Sequence, residues 1–342
     1  MELQIIKKEM FFLLLYGVIF LTMSLLMIGL YEYNGMFYLF EWIWLWFIGK
    51  ILSMVFLIKE ESNDEEEREQ LLEEEISEHK QTYIPWTLYV INASLEAADI
   101  FLICIELFYT NFGLFIICQG FVFVFYILYK NKQDQFKIIY AGVVILTGIF
   151  SIAIDTQGNH ECYIGLAAAL LQIGTNIYAI KFKEQFMSQY IFQHSKYISY
   201  TGLIQFTIWI IVMVIVNFIP CPKESINYQK KCENNNNHLG DFSGYFQDTF
   251  SEKQDGGQSI AYPVIIFVIL IIVSSAITYM DNKITIKLQS DRKQIIQQFV
   301  FFPLQIWIYV DAQLVQKHIV LLVFCILFFV LQWLLGLYIV ND

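Results

Sequence analysis

Residues 260–279 read IAYPVIIFVILIIVSSAITY, twenty positions without a charged side chain. A hydrocarbon core about 30 Å thick is crossed by about 20 residues of helix rising 1.5 Å each, so this stretch has the length and chemistry of a membrane span. Nine further apolar runs flank it, at 10–31, 36–58, 84–108, 112–130, 137–155, 162–182, 197–219, 293–310 and 315–339. The spacing predicts an all-α polytopic membrane protein with about ten transmembrane helices. Composition agrees: 57% of the 342 residues are apolar and 15% charged, with 31 Phe and 21 Tyr, a balance unsuited to a water-facing surface. The bilayer is the first partner the sequence names.

The domains follow from the breaks. Residues 1–58 hold the first two spans, 59–82 an acidic loop, 83–155 spans three to five, 156–219 spans six and seven, 220–259 a polar loop and 260–342 spans eight to ten. Lys7 and Lys8 precede the first run as in a signal peptide. That run is too long, lacks a small-residue exit and is followed at once by another, so it reads as a retained helix.

Of the 21 Lys and Arg residues, 15 fall at the N-terminus or in the loops after spans two, four, six and eight. Most of the others sit in the long 220–259 loop, which counts little in the positive-inside rule. Both termini and the acidic loop are therefore predicted on the cytoplasmic side, and an even span count requires the termini to share a side. The net charge of −11 comes largely from 11 acidic residues between Glu60 and Glu78. With no basic stripe, nucleic acid is excluded as a partner.

In the acidic loop, Glu67, Leu71 and Leu72 fit the acidic dileucine pattern read by sorting adaptors, or are two leucines on a solvated helix. As a signal they favour an endosomal, lysosomal or Golgi membrane over a plasma or mitochondrial one. Cys221 and Cys232 lie in the 220–259 loop on the opposite side, where they form a disulfide in an oxidising compartment or stand as two free thiols. The five His are scattered and no CxxC pair occurs, so neither a metal site nor a cofactor is expected. Walker A, nucleophile-elbow and filter-like glycine motifs are absent, which argues against an enzyme, a pump or a potassium-type channel.

Polar residues inside the spans carry the functional reading. Asn92, Glu96, Asp99 and Glu106 recur at helical spacing on one stripe of span three. Carboxylates in a membrane segment usually face a wet cavity or the bundle interior. They line a substrate path, with Glu96 and Asp99 as proton carriers, or they pair with a basic group on another helix. Lys287, Asp291, Gln294, Gln298 and Gln305 make a second stripe following span eight, a face for binding substrate or, in its first part, a cytoplasmic loop helix, and Pro303 should kink that helix or free a carbonyl. Gln172, Thr175 and Asn176 form a third patch, suited to joining helices or to lining the path.

Three stretches carry a family resemblance. Ala93-Ser94-Leu95-Glu96 is followed by Thr110-Asn111-Phe112-Gly113 and Gln119-Gly120; Lys183-Glu184-Gln185-Phe186 by His194-Ser195-Lys196 and Thr201-Gly202; Ala276-Ile277-Thr278 by Thr285 and Ser290-Asp291-Arg292. In these, from span three onward, the chain resembles the EamA-like drug/metabolite transporter superfamily, and within it the F-type branch of the nucleotide-sugar-transporter-like solute carriers. The resemblance implies two inverted five-helix halves around a central site, with alternating access for a small-molecule substrate such as a nucleotide sugar. Stripes and resemblance together give an expected substrate path through Asn92, Glu96, Asp99, Gln119, Gln172, Asn176, Thr278, Gln294 and Gln298. Where the family carries a Gln and an Arg in helix four, an acid before the helix-seven Gly and a Lys near the end of helix eight, this chain has Ile116, Gln119, Thr201 and Thr278. Two expectations follow: a carrier, free-standing or homodimeric, for a less anionic solute, or a transport-inactive scaffold subunit in a larger membrane complex.

Overall fold

The computed structural model describes residues 13–26, 43–52, 84–110, 112–130, 134–156, 162–190, 194–220, 261–311 and 319–341, with the isolated positions 11 and 238. Among them the chain is almost entirely helical: α1 (Leu13–Leu26), α2 (Ile43–Leu52), α3 (Trp86–Tyr109), α4 (Phe112–Lys130), α5 (Gln135–Asp155), α6 (Cys162–Gln189), α7 (His194–Val216), α8 (Ala261–Asp311) and α9 (Ile319–Asn341). The sorting pattern at Glu67, Leu71 and Leu72 and the cysteines Cys221 and Cys232 lie outside the described residues, as do the side chains of Lys287, Asp291 and Gln305.

Seven helices are long and apolar enough to cross a membrane: α3 to α7, α8 through its segment Val264–Asn282, and α9; α1 and α2 are shorter apolar helices. Hydrocarbon offers no partner for a backbone N–H or C=O, so apolar runs of this length close their hydrogen bonds within the helix. The polar breaks supply the ends. Pro85, with no N–H to leave unmet, stands at the N-cap of α3, and the Thr110 hydroxyl returns to the Glu106 carbonyl at 2.7 Å where that helix stops. Asp134 caps α5 by accepting from the backbone N–H of Phe136 and Lys137 at 3.0 and 3.2 Å.

Around an apolar core, the bundle turns large apolar side chains outward and encloses several polar ones. Leu170, Leu171, Ile139 and Phe218 are exposed, while Gln172, Gln205, Glu106 and Ser274 are fully enclosed. A lipid solvent produces this arrangement, since it tolerates outward leucine and drives polar groups toward one another. The protein therefore reads as a helical integral membrane protein. α4 is its central post, 67% buried along its span against 28–39% for the other six, and it packs on α5, α6, α8 and α9. α3 lies along α6 and α7, and α5 along α9.

The expected break between spans eight and nine takes an unexpected form. The backbone is helical at every position of α8, 51 residues in all. Yet the Lys293 ammonium sits 2.5 Å from the Asp281 carboxylate. Twelve residues of straight helix would separate their Cα atoms by about 18 Å, more than extended lysine and aspartate side chains can cover together. Tyr16 repeats the point, packing on Ile277 and Met280 while bonding Gln297 through its hydroxyl at 2.9 Å. α8 thus doubles back between Asn282 and Lys293, with a proximal arm before the elbow and a distal arm after it. Pro303 lies within the distal arm.

Candidate functional site

At the centre of the bundle lies a cavity of 390 Å³ whose wall is drawn from α1, α2, α3, α4, α6 and both arms of α8. Among the described residues three lysines and three carboxylates line it: Lys50, Lys183 and Lys293 against Glu96, Asp99 and Asp281. They form three groups.

Lys50, on α2, donates to Glu96 and to the Gln205 carbonyl oxygen, each at 2.9 Å. Gln205 in turn donates to Glu96 at 2.6 Å, and Asn92 donates to the other Glu96 oxygen at 3.1 Å. The helical pitch of α3 stacks Asn92 and Glu96 on one face, and that face meets α2 and α7. Gly202 on α7 makes the approach possible, because a Cβ there would run into the Lys50 side chain.

Asp99 is held differently. Gln172 and Asn176, one turn apart on α6, donate to its two oxygens at 2.8 and 3.0 Å. Gln119 on α4 donates to the Gln172 carbonyl at 3.4 Å, which fixes the amide that faces Asp99. Among the described residues the hydrogen-bond partners of Asp99 are neutral.

The third group closes one end of the cavity. Asp281 takes Lys183 of α6 at 2.7 Å and Lys293 of the distal arm at 2.5 Å, so one carboxylate serves two ammonium groups and ties the elbow of α8 to α6. Their side chains keep only 10–19% of their exposure. A charge in this setting needs its partner, since an isolated ion loses several kcal/mol of solvation.

Of the residues expected along the path, Glu96, Asp99, Gln119, Asn176, Thr278, Gln294 and Gln298 line the cavity, while Asn92 and Gln172 stand behind it and orient Glu96 and Asp99. Thr278 spends its hydroxyl on the Ser274 carbonyl at 2.8 Å. Glu106 is enclosed away from the cavity, beside the Cys118 thiol. No local sequence pattern marks Gln205 or Tyr16, and Lys183 and Lys293 stand at the borders of their apolar runs. The signal for Lys50 was there: it is a lone cation inside an apolar run. Among the described residues no group of His, Cys, Asp and Glu has the geometry to hold a metal.

No protein-family model matches the chain, and no curated protein matches it. The chemistry of the cavity therefore carries the functional reading.

Proposed function

We propose that this protein is a secondary transporter of a small polar solute, working by alternating access in a fold of the drug/metabolite transporter type. The observation that carries it is the cavity: 390 Å³ of space within the bundle, walled in part by charged and amide side chains that a bilayer protein would otherwise avoid. On this reading the chain crosses ten times, with α1, α2 and the distal arm of α8 completing the seven longer spans.

Packing supports two inverted halves. Number the spans with the α8 arms as eight and nine and α9 as ten, then exchange each span with the one five places on. The contact of α3 with α6 becomes that of the proximal arm with α1, where Tyr16 meets Ile277. The contact of α3 with α7 becomes that of the proximal arm with α2, where Gly49 faces Ser274. The contact of α4 with α6 becomes that of the distal arm with α1, where Gly17 faces Ile296. The contact of α4 with α5 becomes that of the distal arm with α9, where Gly336 faces Ile295. The α5–α9 contact maps onto itself. A pseudo-two-fold axis through the cavity accounts for all five, and such repeats are the usual engine of rocking carriers.

Asp99 is the better placed of the two candidate proton carriers, because its partners are neutral amides whereas Glu96 is engaged with Lys50. In proteoliposomes holding the purified chain, uptake driven by an imposed pH gradient should be lost in Asp99→Asn with the size-exclusion profile unchanged. Undiminished uptake in that variant would remove Asp99 from the mechanism.

A second reading, a transport-inactive scaffold subunit, draws on the internal pairing of Lys50 with Glu96 and of Lys183 and Lys293 with Asp281. It expects purification from native membranes in a fixed stoichiometry with other chains. The carrier reading expects a monomer or homodimer.

A further inference from the structure

We infer that the solute is a small zwitterion, with an amine and a carboxylate separated by a short apolar chain; the inference rests on the carrier reading above and names its substrate class. The argument starts from how the six charges are grouped. Lys50 and Glu96 cancel within one hydrogen-bonded set. Lys183 and Lys293 share Asp281, which leaves one positive charge in excess at that end of the cavity. Asp99, bonded to two amides, leaves one negative charge in excess elsewhere. Among the described residues the wall is neutral and polarised.

The separation of the poles is set by α6. Asp99 is anchored at Asn176, and the two-lysine group at Lys183, on the same helix. Seven residues are two turns, so the anchors lie on one face with about 10 Å of rise between them. For poles spaced as their anchors are, a ligand touching both uses about 2.8 Å of hydrogen bond at each end, which leaves roughly 4 to 5 Å between its own charged atoms. Between Asn176 and Lys183 the residues that α6 gives to the wall are Ala179 and Ile180, and Phe20 and Phe301, in edge-to-face contact at 5.3 Å, line the cavity as well. Methylene groups suit that stretch. A volume of 390 Å³ is near the lower end of the roughly 300–1,000 Å³ range of small-molecule sites, which favours a compact solute.

Charge decides against a purely anionic substrate. A dianion could satisfy the lysines, but its second charge would lie toward the Asp99 carboxylate in a medium that screens poorly. A simple amine would leave the lysine excess unmet. A zwitterion neutralises both ends and adds no net charge to a membrane interior. Occupation of Asp99 by an ammonium and by a proton are mutually exclusive, so the same carboxylate serves exchange of one for the other.

The test titrates the detergent-solubilised full chain by calorimetry with amino acids from glycine through 3-aminopropanoate and 4-aminobutanoate to 6-aminohexanoate, alongside butanoate, butylamine and succinate. The intermediate lengths should bind best, about tenfold or more tighter than butanoate or butylamine, as one added charge-assisted contact implies. Asp99→Asn should bring 4-aminobutanoate down to the level of butanoate, and Lys293→Gln down to that of butylamine. If either variant fails to fold, the series on the unmodified chain decides alone. Equal binding of butanoate, or a preference for succinate with exchange in proteoliposomes, overturns the zwitterion and leaves the carrier. Absence of binding and of exchange for every compound overturns both.

Discussion

Lys50 and Glu96 show how much of the site depends on partners far away in the chain. The ammonium lies 2.9 Å from the carboxylate, and the two side chains retain 6% and 25% of their exposure. Removing one member of such a pair strands the other in low dielectric and costs about 3–5 kcal/mol, whereas replacing both with apolar groups is often close to neutral. Lys50→Met should therefore lower the thermal unfolding midpoint in detergent sharply, and Lys50→Met combined with Glu96→Met should recover most of the loss. A double variant as damaged as the sum of the singles would show that each residue has a separate structural duty. Outside the membrane, Asp134 offers a pH test. Backbone N–H groups of the first α5 turn, chiefly that of Lys137, hold its carboxyl below the usual aspartate range. A lowered folded value stabilises above the unfolded one and is lost as pH falls through it, so hydrogen exchange at the start of α5 should speed up under acid, and Asp134→Asn should flatten that response. The α3 stripe was legible because its members recur at one pitch on one helix. Their partners were not: Lys50 and Gln205 stand 46 and 109 positions from Glu96, and no local pattern links residues at such separations.

The helices themselves are the most legible part of the chain, because in lipid the length of an apolar run and the length of a helix have the same cause. Two element-level features escaped that logic. Lys183 was assigned to a loop since the apolar run ends near it, yet α6 continues to Gln189 and carries the lysine into the cavity. The elbow of α8 was expected as a turn, but the backbone keeps its helical bonds while the arms fold together. Packing between elements rests on small residues at close approaches. A Cβ on Gly49 of α2 would lie 2.5 Å from the Ile271 carbonyl oxygen and would also strike the Ser274 side chain. Backbone cannot yield there as a side chain tip can, so Gly49→Ala should destabilise by about 1–3 kcal/mol. Gly174 on α6 is the control: nothing lies within 4 Å of its would-be Cβ. Gly174→Ala should be neutral or stabilise by up to about 1 kcal/mol through helix propensity. Thermal unfolding of the two alanine variants side by side checks both, and a Gly49→Ala protein as stable as the parent would mean that α2 and the proximal arm can part without cost.

At the scale of the molecule, the side on which each end of the chain lies depends on one element. The seven long helices alone make an odd number of crossings and would put the two ends on opposite faces of the bilayer. α1 and α2 enter as a pair and leave that parity unchanged. Among the described residues only the distal arm of α8 reverses it, so the sidedness of the ends reports on that arm. The ion pair between Asp281 and Lys293 excludes a straight α8 and brings the distal arm back toward its predecessor, as a return crossing would. Basic residues agree, being concentrated before the first span and after the even-numbered ones. Epitope tags placed ahead of α1 and after α9 should therefore respond alike: both protected from, or both open to, antibody in selectively permeabilised cells, with the cytoplasmic face the expected one. Tags on opposite faces would make α8 a single crossing with its distal arm lying along the membrane surface. The cavity would then lack one wall across the bilayer, and the inverted five-helix halves, with the rocking mechanism built on them, would fall together.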